Sequence, residues 1–273
     1  MTRPIGVFDS GVGGLSVLRA ILAVLPSQPV IYLSDQAHVP YGQRPLREVQ
    51  AFSKAITRHL LDEGAALVVV ACNTASAAAL HDLRQTFPQT PFVGMEPAVK
   101  PAALSTRSGV VGVLATPATF SGALYAATMV RFASDVVILQ DTCPGLVAEI
   151  ERGTPNSPQA YNILENALRP MLAQGIDTIV LGCTHYPFAI PVIAEIAGPD
   201  VEVIDPAPAV ALQVKRLLGN HFPQTDGSQP SQIRYLTSGS PKNMSELITG
   251  LTGESEPNIE KVFWQDRQLT ACS

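Results

Sequence analysis

Short runs of branched apolar residues, each closed by a polar or glycine-bearing stop, recur along the whole chain. Ile5–Phe8, Val30–Leu33, Leu67–Val70, Phe92–Val93, Val110–Leu114, Val136–Leu139, Thr178–Leu181 and Val201–Ile204 read as strands. The runs are continuous rather than alternating, the pattern of strands covered on both faces in a parallel sheet. Between them the apolar positions recur at helical spacing. Leu46, Val49, Phe52, Ile56 and Leu60 form one stripe, with Gly64 placed to cap its end. Leu15, Leu18, Leu22 and Leu25 form another, stopped by Pro26. In the tail, Ser240-Pro241 reads as an N-cap and first helical residue, and Ile233–Leu236 and Lys261–Phe263 as two further strands. The fold class is α/β.

The pattern also repeats on a longer scale. Gly6–Ser10 returns as Gly112–Thr116, Leu33–Asp35 as Leu139–Asp141, Val70–Thr74 as Leu181–His185, and Glu96–Ala98 as Asp205–Ala207. Four matches in one order, 106 to 111 residues apart, point to two copies of one unit. The expected architecture is two similar parallel-sheet lobes related by a pseudo-two-fold, residues 1–97 and 98–208, with a crevice between them. The polar connections Gln224–Gln232 and Gly253–Asn258 are too short to free a further domain, and the pattern alone leaves open which lobe the tail joins.

Composition narrows the function. With 46 % hydrophobic and 15 % charged residues, the chain can bury a large core and does not read as disordered. A net charge of −5 disfavours nucleic-acid binding. Four cysteines without close pairs suggest neither a disulfide scaffold nor a zinc site, so no metal is expected. Ser108–Val130 is uncharged and long enough to span a bilayer, but its glycines, threonines and Pro117 read as strand, turn and helix start. A strand within the first ten residues leaves no room for a secretory signal, and the expected compartment is the cytoplasm, with reduced thiols.

Ligands of open α/β sheets bind outside the carboxyl ends of the strands, where the repeated blocks converge. The third block of each lobe supplies a cysteine, Cys72 and Cys183, followed by hydrogen-bonding side chains. Two like bases facing one carbon suit racemisation, one taking the α-proton while the other delivers a proton to the opposite face. A free thiol, with a pKa of about 8.5, can serve either way after modest tuning. Asn73, Thr74, Thr116, Thr119 and Thr184 are candidate donors to a substrate carboxylate. Against this stands the common use of buried cysteine as a small hydrophobe, the reading given to Cys143 and Cys272. Asp9 serves as readily as a turn former as in catalysis. The loop Gly11-Val12-Gly13-Gly14 departs from both common phosphate-binding glycine patterns. His59, His81 and His221 fall on helices and are expected to face solvent.

The motifs GVFDSGVGGLSV (6–17), PYG (40–42), ACNTASA (71–77), GMEPAVKPA (94–102) and GCTHYP (182–187) closely resemble those of the cofactor-independent glutamate racemases of bacterial cell-wall synthesis. The resemblance runs from Pro4 to about Val210. It implies an active site between two lobes, with the tail (209–273) packed on the first lobe. It implies Cys72 and Cys183 as the acid/bases, working on D- and L-glutamate respectively, with Asp9 assisting the first and His185 the second. A family glutamate falls on Glu151, although Gly145 and Ala148 depart from the usual residues before it. Substrate contacts fall on Asp9, Ser10, Tyr41, Gly42, Asn73, Thr74, Thr184 and His185, with Thr116 and Thr119 matching two further threonines. The implied partner is glutamate, without a cofactor, in a monomer or a homodimer. A racemase of another small acid such as aspartate, or a non-catalytic binding protein for acidic amino acids, are the alternative readings.

Overall fold

The computed structural model describes residues 3–221 and 231–271. In chain order the strands are β1 (Ile5–Asp9), β2 (Val30–Ser34), β3 (Leu67–Val70), β4 (Phe92–Gly94), β5 (Val110–Ala115), β6 (Val137–Asp141), β7 (Thr178–Gly182), β8 (Glu202–Ile204), β9 (Ile233–Thr237), β10 (Ile259–Gln265) and β11 (Gln268–Ala271). They form two sheets, ordered β11-β10-β9-β2-β1-β3-β4 and β6-β5-β7-β8. Pairing is parallel except between β10 and β11.

The repeated sequence blocks correspond to repeated topology. β2-β1-β3-β4 and β6-β5-β7-β8 run in the same order, so β1 matches β5 and β3 matches β7. In each sheet the chain leaves the central strand to one side, then returns to add strands on the other. The crevice of such a switch point opens at the carboxyl ends of those central strands. β1, β3 and β5 therefore deliver Asp9–Ser10, Cys72 and Thr116 to it, and β7 delivers Cys183.

The central strands need helices on both faces because their side chains are apolar on both. β1, β2, β3 and β7 are buried at every position. Helix Leu46–Asp62 turns its Val49–Ile56–Leu60 stripe onto the first sheet, as expected, and Gly64 takes a φ of +90° just beyond its end. Helix Leu15–Val24 covers the opposite face beside helix Ala207–His221. The tail extends the first sheet, β9 pairing with β2 in register Val30 to Ile233. The helix Pro241–Thr252 begins with Ser240 accepting from the Asn243 N–H at 3.3 Å and proline in its first turn, as the sequence predicts.

Several expectations differ from the structure. β6 and β8 are sheet edges and half-exposed, not covered on both faces, and Val137 is 55 % exposed. β11 was not anticipated, because its turn uses Asp266 and Arg267 at φ of 48° and 62° rather than the Asn-Gly or Asp-Gly that signals a hairpin. His59 does not face solvent. β9 and β10 reach under the end of its helix, leaving it 8 % exposed, and burial lowers its pKa. His81 is exposed as expected. Ser108–Val130 resolves into β5 and the helices Pro117–Phe120 and Ala123–Phe132, and no described helix is long and apolar enough to cross a membrane. The His221 side chain, Cys272 and most of Gln224–Gln232 lie outside the described residues.

Candidate active site

The cleft between the two sheets is lined by Ser10, Tyr41, Gly42, Cys72, Asn73, Thr74, Thr116, Cys183, Thr184 and His185, all candidates from the sequence. Pro40 and Val147 line it too. Neither was singled out as a contact, since an apolar lining residue carries no chemical signature. The free space is about 20 Å³, room for one water molecule and little more.

Cys72 lies two residues beyond the end of β3 and caps the helix Asn73–Thr86. Its φ of −136° and ψ of 122° are extended, and its sulfur accepts the Ala75 N–H at 3.5 Å. The Ser10 hydroxyl lies 3.9 Å from the same sulfur. Burial, reinforced by the charge of Asp9, pushes the Cys72 thiol well up, against the pull of the Ala75 N–H. Asp9 is wholly buried. Its Oδ1 accepts from the Gly11 N–H at 2.8 Å and its Oδ2 from the Thr184 hydroxyl, across the cleft, at 3.0 Å. It is thus both a turn former and a cross-cleft acceptor. Burial raises its pKa and the neighbouring His185 holds it down in part.

On the facing side, His185 Nδ1 stands 3.7 Å from Cys183 Sγ, and Nε2 stands 2.6 Å from Glu151 Oε1. That same carboxylate oxygen accepts the Val12 N–H of the first sheet's glycine loop at 2.8 Å. Burial alone would drive His185 neutral. The hydrogen bonds to Cys183 and Glu151, with the Glu151 charge, outweigh it and hold the imidazole pKa well above its usual value. Despite the altered residues Gly145 and Ala148, helix Leu146–Glu151 brings Glu151 to this ring, with Gly145 at its N-terminus in a left-handed φ of 95°.

The glycine loop owes its composition to this contact. A Cβ at Gly11 would strike the Glu151 carboxylate, one at Gly13 the His185 ring and the Thr184 hydroxyl, and one at Gly14 the Asp9 Cβ. The loop is where the second lobe's side chains approach the backbone. Ser16 adds a further cross-cleft bond to the Thr184 carbonyl at 3.0 Å.

Polar side chains complete the lining. Thr74 and Thr116 hydroxyls meet across the cleft at 2.9 Å, and Thr116 meets Thr119 at 2.9 Å. Thr119, Asp9 and Glu151 do not line the free space but hold residues that do. Gly42 packs directly on the Thr116 side chain. Asn73 is the exception to this pairing: both its amide atoms are buried without a partner. A buried amide lacking every partner is costly unless a ligand supplies them. Cys143 is buried beneath the site in the core, as its structural reading requires.

The family model of the Asp/Glu/hydantoin racemases matches residues 5–214. A protein of Ectopseudomonas mendocina named glutamate racemase is 50 % identical over 252 residues, 92 % of this chain and 95 % of its own. Among solved structures, the glutamate racemase isoform RacE1 of Bacillus anthracis superposes with a TM-score of 0.85 at 29 % identity, covering 97 % of this chain and 98 % of the other. Escherichia coli glutamate racemase, crystallised with L-glutamate and the activator UDP-MurNAc-ala, superposes with a TM-score of 0.83 at 30 % identity, covering 96 % and 98 %.

Proposed function

The chain belongs to the Asp/Glu/hydantoin racemase family, and from that premise we propose that it interconverts L- and D-glutamate by proton transfer at Cα between Cys72 and Cys183. The single observation that carries the mechanism is the pair of buried cysteines, issued by matching strands β3 and β7 into one cleft. A relative crystallised with L-glutamate supports the choice of substrate.

With glutamate bound, one sulfur accepts the α-proton while the other S–H delivers its proton to the opposite face, and the carbon inverts. In the reverse direction the two exchange roles. Cys72 acts on D-glutamate and Cys183 on L-glutamate. Burial and Asp9 hold Cys72 toward the thiol, because both disfavour its charge. The substrate's α-ammonium brings the positive charge that this side of the cleft lacks. On the other side, protonated His185 faces Cys183 and exchanges protons with it, with Glu151 keeping the ring charged and oriented. Asn73 supplies both an amide donor and an acceptor to the amino acid. Hydroxyls of Ser10, Thr74, Thr116 and Thr184 surround its carboxylates, where fixed dipoles lower the cost of the carbanion-like transition state. Closing the cleft on the substrate removes water that would screen those dipoles.

The reaction needs no added cofactor in this scheme. In this reading the product, D-glutamate, serves cell-wall peptidoglycan and the enzyme works in the cytoplasm. The test is direct: purified protein, given L-glutamate and separately D-glutamate without cofactor, drives optical rotation to zero from both sides. Comparable turnover of aspartate overturns the glutamate assignment. Tight binding of glutamate without α-proton exchange overturns the enzyme.

A further inference from the structure

Tyr41 and Gly42 reach the cleft on a loop that follows β2, and that loop is fastened both to Phe52 of the helix Leu46–Asp62 and to one buried carboxylate, Asp35. Asp35 is fully buried and accepts from four side chains. His38 Nδ1 donates at 2.9 Å and the Tyr41 hydroxyl at 2.6 Å, both from the loop itself. Ser238 Oγ donates at 2.6 Å and Trp264 Nε1 at 2.7 Å, both from the C-terminal segment. Ser238 also accepts the Ala37 N–H at 3.0 Å. The His38 ring lies stacked on Phe52 at 3.9 Å and edge-on to Trp264 at 5.0 Å.

We propose that Trp264 and Ser238 are positioning residues for the cleft: through Asp35 they set the height of the Tyr41–Gly42 wall against Thr116. The proposal rests on the racemase reading only for the identity of the substrate. A carboxylate buried this deeply stays put only while its acceptor sites are filled. Two of its four side-chain donors come from residues beyond position 230, outside the matched family segment 5–214. The Tyr41 hydroxyl is the link in the other direction, since it occupies Asp35 rather than the cleft. Gly42 lies close enough to the Thr116 side chain that a Cβ there would strike it, so a shift of this wall toward Thr116 has little room.

The test compares Trp264→Phe, Ser238→Ala, the double variant and Phe263→Ser in the full chain. Phe retains an aromatic ring against the stacked pair His38 and Phe52 but removes the donor. Phe263 neighbours Trp264 on β10 but is 45 % exposed, so its variant reports damage to the strand alone. The expected result is a KM for glutamate raised about fivefold in Trp264→Phe, and further in the double variant, with kcat within about twofold of native. Phe263→Ser keeps the native KM. A second readout needs no glutamate: iodoacetamide should label Cys72 several times faster in the double variant, while Cys143 keeps its native rate. That arm stands even if the substrate proves to be another acid. Native KM and native Cys72 labelling in the double variant overturn the proposal. So does a loss of kcat at unchanged KM, or an equal KM rise in Phe263→Ser, since each marks misfolding rather than positioning.

Discussion

Glu151 Oε1 bridges the two lobes at a single atom, lying 2.6 Å from His185 Nε2 and accepting the Val12 N–H at 2.8 Å. Glu151, which together with Cys183 raises the His185 pKa, is therefore also a fastening between the second lobe and the glycine loop of the first. In the proposed mechanism this carboxylate ties the approach of the two lobes to the protonation of the Cys183 side, beside the second cross-lobe carboxylate, Asp9.

Replacing Glu151 by Gln should lower the His185 pKa and weaken the closed form together. A group whose folded pKa is raised stabilises most below its unfolded value, here 6.5, and loses that contribution as pH climbs through the folded pKa. The difference in Tm between native protein and Glu151→Gln should thus be widest at about pH 6 and shrink toward alkaline pH. Calorimetry over that range checks it, and a difference that grows with pH contradicts the assignment.

Asp9 should show the opposite balance of stability and activity. Burial raises its pKa, so its charged form is held at a cost to the fold near neutral pH. Asp9→Asn keeps the shape: its Oδ1 still accepts from the Gly11 N–H, and its Nδ2 donates to the Thr184 hydroxyl oxygen, which turns its own hydrogen away. Urea unfolding should show unchanged or higher stability, with racemisation falling by roughly two orders of magnitude. Native activity in this variant would remove Asp9 from the chemistry.

Gly13→Ala should disable the enzyme without unfolding it. Its Cβ would lie 2.7 Å from the Thr184 hydroxyl and against the His185 ring, displacing both from Cys183 and Asp9. Overpacking of this kind costs about 1–3 kcal/mol. A cooperative unfolding transition with most of the turnover lost is the expected outcome, measured by denaturant titration beside an activity assay.

These relationships also mark what was legible in the sequence. The strands, the repeat and both cysteines could be read because each depends on neighbours within a few residues, and the offset between copies ties β3 to β7. The glycine loop could not be read correctly. What fills the space over Gly11 and Gly13 arrives from residues 151, 184 and 185, so its glycines resembled a phosphate loop with the wrong spacing. Asp35 was seen only as part of a repeated block, because two of its donors are 203 and 229 residues away. His59 reads as solvent-facing on its own helix and is buried by β9 and β10, strands that come from the far end of the chain. Local pattern reports the lobes; what passes between them, or returns from the tail, is invisible to it.

The pH dependence of turnover should be bell-shaped. In the proposed mechanism each direction needs one sulfur charged and the other protonated, so the rate rises and then falls, with limbs that belong to the coupled site rather than to either cysteine. A rate that never declines at high pH rules out a protonated thiol as the acid.

The measurement that bears most directly on the facing-thiol account is isotope incorporation in heavy water, run with native protein and with Cys72→Ala and Cys183→Ala. In the native reaction, product formed in the first turnovers should carry solvent deuterium at Cα, because the donating thiol has equilibrated with solvent. The unreacted enantiomer should stay nearly unlabelled over the same interval, because the accepting sulfur holds the substrate's own proton. Both single variants should fail to racemise, while Cys143→Ala keeps most of its activity. Product that retains the original proton, or racemisation at native rate in either Cys72→Ala or Cys183→Ala, contradicts the account.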